Sequence, residues 1–203
     1  MVLFFLPHVF TAVVDISEEW FWTICLIYYP VTFILSLVLV GVNAWDGIKD
    51  IINNKKKYIK MFVFMADTYV IGFKLVFEIL ERLSVDTSTN QEAINKLPIR
   101  LTFIMCILYA PVVEETIYRY CLKEIVYNKF LFVICSGLLF GMAHVVFVEA
   151  TVYTALVCSL PYVFGGLMQA LIYQVSNNIA FTILFHALYN SVTLLPIIIY
   201  YLR

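Results

Sequence analysis

The chain has 203 residues, of which 63% are hydrophobic and only 13% charged, with a formal net charge of −1 and a mean hydropathy of +0.93. A soluble domain is about 45–50% apolar and about 25% charged, so this composition excludes an ordinary water-soluble fold and points to an all-α, polytopic transmembrane helical bundle. No basic face alternates with stackable aromatics, which argues against nucleic-acid binding, and five cysteines without CxxC spacing read as buried thiols rather than a disulfide or metal framework.

Residues 1–14 are apolar but short for a span, and they lack the basic n-region of a signal peptide. They read as a short first span or an interfacial segment. A span over Trp20–Ala44 follows, with Trp20, Trp22 and Trp45 as interfacial anchors. The next stretch, residues 49–60, holds Lys49, Lys55, Lys56, Lys57 and Lys60 and reads as a cytoplasmic loop by the positive-inside rule. Met61–Leu80 is a less regular span, because it carries Asp67, Lys74 and Glu78. Their offsets of seven and four place them on one helical face, where they are expected to form an ion-pair ladder towards neighbouring helices. Residues 81–97 are polar and form the outside loop.

The fourth hydrophobic stretch begins near Ile99 and runs into Pro111-Val112-Val113-Glu114-Glu115-Thr116-Ile117-Tyr118-Arg119. Ionisable groups at that depth cost at least ~2.5–3.5 kcal/mol each on insertion scales, so they tend to face a bundle interior and serve a function. Glu115 and Arg119 stand four apart, with the acid on the N-terminal side, the better orientation for a pair. Glu114 points roughly 100° away from that pair, which makes it the candidate general base. Lysines between residues 123 and 129 again mark the cytoplasmic side. Spans over Phe130–Val148, Val152–Gln174 and Asn178–Leu202 complete six, or seven with the first segment, and their short connections force an antiparallel bundle. Gly165-Gly166 with Ala170 makes a small-residue face for close helix approach.

Two histidines fall inside the last spans. His144 closes Phe140-Gly141-Met142-Ala143-His144, and His186 opens His186-Ala187-Leu188-Tyr189-Asn190, so His186 and Asn190 share a helical face. At ~1.5 Å per residue, Glu114 lies about 12–18 Å from the cytoplasmic end of its helix, His186 about 12 Å and His144 about 21 Å from the starts of theirs. The three therefore fall within reach of one polar site in the cytoplasmic half of the bilayer.

In their order along the chain, Glu114-Glu115-x-x-x-Arg119, Phe140-x-x-x-His144 and His186-x-x-x-Asn190 resemble the motifs of the CPBP (Abi) intramembrane proteases, relatives of the type II CAAX prenyl endopeptidase. The resemblance covers about residues 98–196; it makes 98–202 a catalytic helical core and leaves 1–97 as variable N-terminal transmembrane segments. Tyr120 departs from it, standing where members often have glycine. The resemblance implies an intramembrane endopeptidase in the cell membrane. Glu114 would activate a water with His144 beside it, His186 and Asn190 would bind the oxyanion, and Glu115, Arg119 and Phe140 would position them. It also implies Zn²⁺ on Glu114, His144 and His186, although the chain has no His-Glu-x-x-His and a metal-free glutamate mechanism uses the same residues. The partners are a peptide or membrane-protein substrate and the lipid bilayer; no oligomeric state follows. A composition rich in Lys, Ile, Asn and Tyr is that of a low-GC bacterium, which favours a secreted or membrane-bound peptide over a prenylated tail and fits bacteriocin processing or immunity. Three other readings stay open: an inactive immunity or scaffold protein of the same fold, a small proton-coupled carrier, and a cysteine peptidase using Cys121, which lacks a histidine nearby in sequence.

Overall fold

A computed structural model describes residues 17–83, 99–145 and 151–201. The first segment (1–14) and most of the expected outside loop (81–97) lie outside the described residues. Among those described there is no strand, and six helices follow one another. Helix α1 is Glu18–Asn53 and α2 is Lys55–Leu83. Helix α3 covers residues 99–125 in five consecutive segments. Helices α4, α5 and α6 are Lys129–Ala143, Val152–Ser176 and Ile179–Tyr201.

The lysine-rich stretch is not a loop. Lysine, aspartate and isoleucine propagate a helix adequately, so α1 continues past Ala44 for 36 residues in all, about 54 Å at ~1.5 Å per residue. That exceeds a hydrocarbon core of about 30 Å, so its charged end projects beyond the apolar layer. Only Asn54 interrupts, with its N–H returning to the Asp50 carbonyl before α2 begins. The expected ladder is also corrected: Asp67, Lys74 and Glu78 are all exposed and form no ion pair among the described residues. They share a face as the spacing requires, but Tyr58, Met65, Tyr69 and Leu80 occupy the face of α2 that packs inward.

Among the described residues, three helices are long and apolar enough to cross a membrane, over Trp22–Asn53, Arg100–Ile125 and Val152–Ser176. Helix α4 is shorter than expected, because the chain tightens at its end: the His144 N–H reaches the Gly141 carbonyl at 3.1 Å. Its start is fixed by Asn128, whose side chain accepts from the Phe130 and Leu131 N–H groups. Helices α5 and α6 turn on two residues. Asn177 takes a left-handed conformation (φ 48°) that ends α5. Asn178 then accepts from the Phe181 N–H to begin α6 and donates to the Gly47 carbonyl and the Tyr58 hydroxyl. This corner ties α1, α2, α5 and α6 together.

Two apolar clusters build the bundle around α5 and α6. One joins Tyr58, Met65 and Tyr69 of α2 to Met168, Ile172, Phe181 and Phe185. The other joins Val40 and Phe132 to Ala170, Tyr173 and Ile179. A third, Met105, Tyr109 and Val113, packs α3 against Tyr29 and Phe33 of α1. The small-residue face does bring two helices together, but its members divide. A Cβ on Gly166 would lie 3.0 Å from Gly137 Cα, and one on Gly141 would lie 2.6 Å from the Val163 nitrogen. Gly166 thus meets Gly137 of α4, whereas a Cβ on Gly165 would meet the Tyr69 hydroxyl of α2 at 3.0 Å. All five cysteines are thiols, two of them buried and three half-buried.

Candidate active site

Helix α3 is not uniformly α-helical around its carboxylates. Ile99–Phe103 gives way to a π-helical turn at Ile104–Tyr109, then α-helix at Ala110–Glu115, a second π turn at Thr116–Cys121, and a last α turn at Leu122–Ile125. Such turns loosen the backbone ladder and recur at functional sites. Side chains from other helices fill in: Ser136 of α4 donates to the Tyr118 carbonyl at 2.8 Å.

The local pair expected from sequence is formed. Arg119 Nη1 lies 3.2 Å from Glu115 Oε1, with both side chains fully buried. Arg119 Nη2 also donates to the Gly166 carbonyl at 3.1 Å, and its guanidinium lies 4.7 Å from the centre of the Phe140 ring. The Gly137–Gly166 approach holds α5 against α4, and thereby holds that carbonyl and that ring together on one guanidinium.

Glu115 has a second partner that local spacing does not reveal. His186 Nδ1 lies 2.8 Å from Glu115 Oε1. A carboxylate only accepts, so Nδ1 carries a proton; Nε2 is then an acceptor if the ring is neutral and a donor if it is an imidazolium. That Nε2 lies 3.9 Å from Glu114 Oε2. Glu114, Glu115, Arg119 and His186 are therefore one buried cluster in which Glu115 bridges the arginine and the histidine.

His144 is brought beside this cluster through Phe140. Its Nδ1 donates to the Phe140 carbonyl at 2.7 Å, so that Nε2 is the acceptor nitrogen whenever the ring is neutral. The ring stacks on Tyr162 (centroids 4.6 Å, planes 16° apart) and lies 4.4 Å from the Phe140 ring. Phe140 in turn stands 6.1 Å from the His186 ring. Asn190, one turn beyond His186, is half-buried and donates through Nδ2 to the Cys106 carbonyl at 2.8 Å. Tyr162, the Gly166 carbonyl and the Cys106 carbonyl had no sequence signal as site groups; only the glycine pair drew attention, and for packing.

The residues expected to hold Zn²⁺ were Glu114, His144 and His186. Among the described residues no three His, Cys, Asp or Glu side chains converge closely enough to hold a metal ion. His144 is clamped between Tyr162 and the Phe140 carbonyl, and His186 is turned by Glu115. The site offers carboxylate, imidazole and carboxamide groups in a buried, low-dielectric setting, which suits proton transfer and oxyanion stabilisation.

Residues 96–192 match the family described as "Type II CAAX prenyl endopeptidase Rce1-like". This is the family group that the three motifs resemble, and the match includes every residue of the site. An uncharacterized protein of Mycoplasma capricolum subsp. capricolum is 30% identical over 159 residues, covering 71% of this chain and 46% of the relative. The chain thus spans about half the length of that relative. No solved structure matches it at a significant level.

Proposed function

We propose that this chain, whose residues 96–192 are type II CAAX prenyl endopeptidase-like, is a multi-pass intramembrane endopeptidase of the cell membrane. Its substrate is a peptide or protein that lies in or on the bilayer. The observation that carries the reading is the Glu114–His186 juxtaposition at 3.9 Å, with the imidazole oriented from behind by Glu115.

In this reading Glu114 takes a proton from a water while the oxygen attacks the scissile carbonyl. His144 Nε2 accepts a hydrogen bond from the water's other O–H and fixes its approach. The resulting oxyanion is held by Asn190 Nδ2–H and by His186. Because Nδ1–H is committed to Glu115, His186 donates from Nε2 only as the imidazolium; in this reading the ring holds that proton before and after turnover, and the bridging carboxylate neutralises its charge. Protonated Glu114 then passes its proton to the leaving nitrogen as the C–N bond breaks. Such base catalysis contributes about 10²–10⁴-fold, and each oxyanion donor about 10²–10³-fold.

The test is to reconstitute the purified chain in liposomes with a library of membrane-inserting peptides and to read new termini by mass spectrometry. Wild-type protein should generate defined cleavage products. Glu114→Gln preserves side-chain volume and should lower the rate by about 10²–10⁴-fold without reducing the amount of folded protein. Cleavage by Glu114→Gln at the wild-type rate would sink the assignment. A wild-type chain that cleaves nothing would support an inactive scaffold of this fold.

A further inference from the structure

The register of the π turn leaves the Cys106 carbonyl without a backbone donor, and Pro111 is the cause. In the π turn Ile104–Tyr109 the Ala110 N–H goes to the Met105 carbonyl, five residues back. Ala110 is also the residue that would serve Cys106 in an α-helix, so that donor is already used. The next donor in the π register would come from residue 111. It is proline, which has no N–H, and whose ring also crowds the carbonyl four residues earlier and so favours an opened turn. Asn190 Nδ2 fills the place at 2.8 Å, from a helix 84 positions away in sequence. Pro111 itself is buried.

We propose that Pro111 is a positioning residue of the site: by withholding a backbone donor it turns the Cys106 carbonyl into a socket that fixes the Asn190 carboxamide. A primary carboxamide nitrogen carries two hydrogens. One is held by Cys106, and the other is left for the oxyanion. This role rests on the endopeptidase reading given above; the socket itself does not. A proline that merely tolerates the start of an α segment would predict no link between residue 111 and Asn190, and the hydrogen-bond register argues against that simpler account.

The experiment uses the full chain in detergent, with Asn-selective ¹⁵N labelling and the Asn190 side-chain amide resonances identified by their loss in Asn190→Ala. Pro111→Ala supplies the missing N–H. It should move the hydrogen-bonded Asn190 amide proton towards the position of a free carboxamide. Unmoved resonances would overturn the socket. Should Pro111→Ala fold poorly, a chain with the other four cysteines replaced by serine and ¹³C at the Cys106 carbonyl serves instead. Its isotope-shifted amide band should rise in frequency on Asn190→Ala, and an unchanged band would overturn the proposal. With a cleaved peptide in hand, Pro111→Ala should lower kcat by about 10–100-fold with KM within about twofold, the signature of a misplaced donor. In an Asn190→Ala background the same change should have almost no further effect on kcat, whereas independent, multiplying losses would refute action through Asn190. The resonance and infrared arms need no activity, so a failed endopeptidase reading and a failed socket are told apart.

Discussion

Replacing Arg119 by alanine removes the arginine contact of Glu115 and strands a carboxylate in the middle of the bundle. Both side chains are fully buried, so the residual charge has no solvent to fall back on. Truncating one partner of a buried pair typically costs about 3–5 kcal/mol. The guanidinium also loses its bond to the Gly166 carbonyl and its place over Phe140, a contact worth about 0.5–2 kcal/mol by itself. These losses share one side chain and do not simply add. Even the first is a large fraction of a total stability of about 5–15 kcal/mol. Arg119→Ala should therefore give much less monodisperse protein in detergent size exclusion and a clearly lower thermal midpoint. Arg119→Lys should fall between, because an ammonium can meet Glu115 but lacks the fork that reaches Gly166 at the same time. His186 Nδ1–H still donates to Glu115 in either variant, which sets a floor under the damage. An Arg119→Ala protein with wild-type yield and midpoint would refute the account of α3 as stitched to α4 and α5 through one guanidinium.

Gly166→Ala should destabilise by about 1–3 kcal/mol through overpacking, since its Cβ would lie 2.9 Å from Phe140 Cβ and 3.0 Å from Gly137 Cα. Gly41→Ala, with nothing within 4 Å of the added carbon, should match or exceed wild-type stability, and comparing the two thermal midpoints checks the pair. Chelator treatment of an active preparation should leave cleavage intact if the residues work as arranged; loss of activity restored by Zn²⁺ would instead require Glu114, His144 and His186 to close onto an ion. Ser88→Cys in a chain lacking the native cysteines should be labelled by an impermeant thiol reagent from outside, and a cysteine at position 56 only from inside. The reverse pattern would overturn the topology read from the lysines.

The features legible in the sequence are those fixed within one helix. The Glu115–Arg119 pair, the different heading of Glu114 and the shared face of His186 and Asn190 follow from helical spacing alone. The Asp67, Lys74 and Glu78 face was also legible as a face, but its direction was not, because aromatic packing of Tyr58 and Tyr69 against α5 and α6 decides which side of α2 turns inward. The end of α1 was misplaced for a related reason. Lysines mark a membrane boundary, which need not be a helix boundary.

By itself, the sequence determined that this is a helical membrane bundle and which residue types lie along its polar seam, because composition and periodicity are properties of the chain. It also carried the ordered motifs that match a family over residues 96–192. The tertiary structure alone decided that Glu115 bridges Arg119 and His186, that Arg119 answers the Gly166 carbonyl, and that Asn190 is seated on Cys106. Apart from the local Glu115–Arg119 pair, those bonds join residues 47 to 84 positions apart. They depend on how closely glycines let α4 and α5 approach and on where α3 opens its backbone, which the helical repeat of a single segment does not encode.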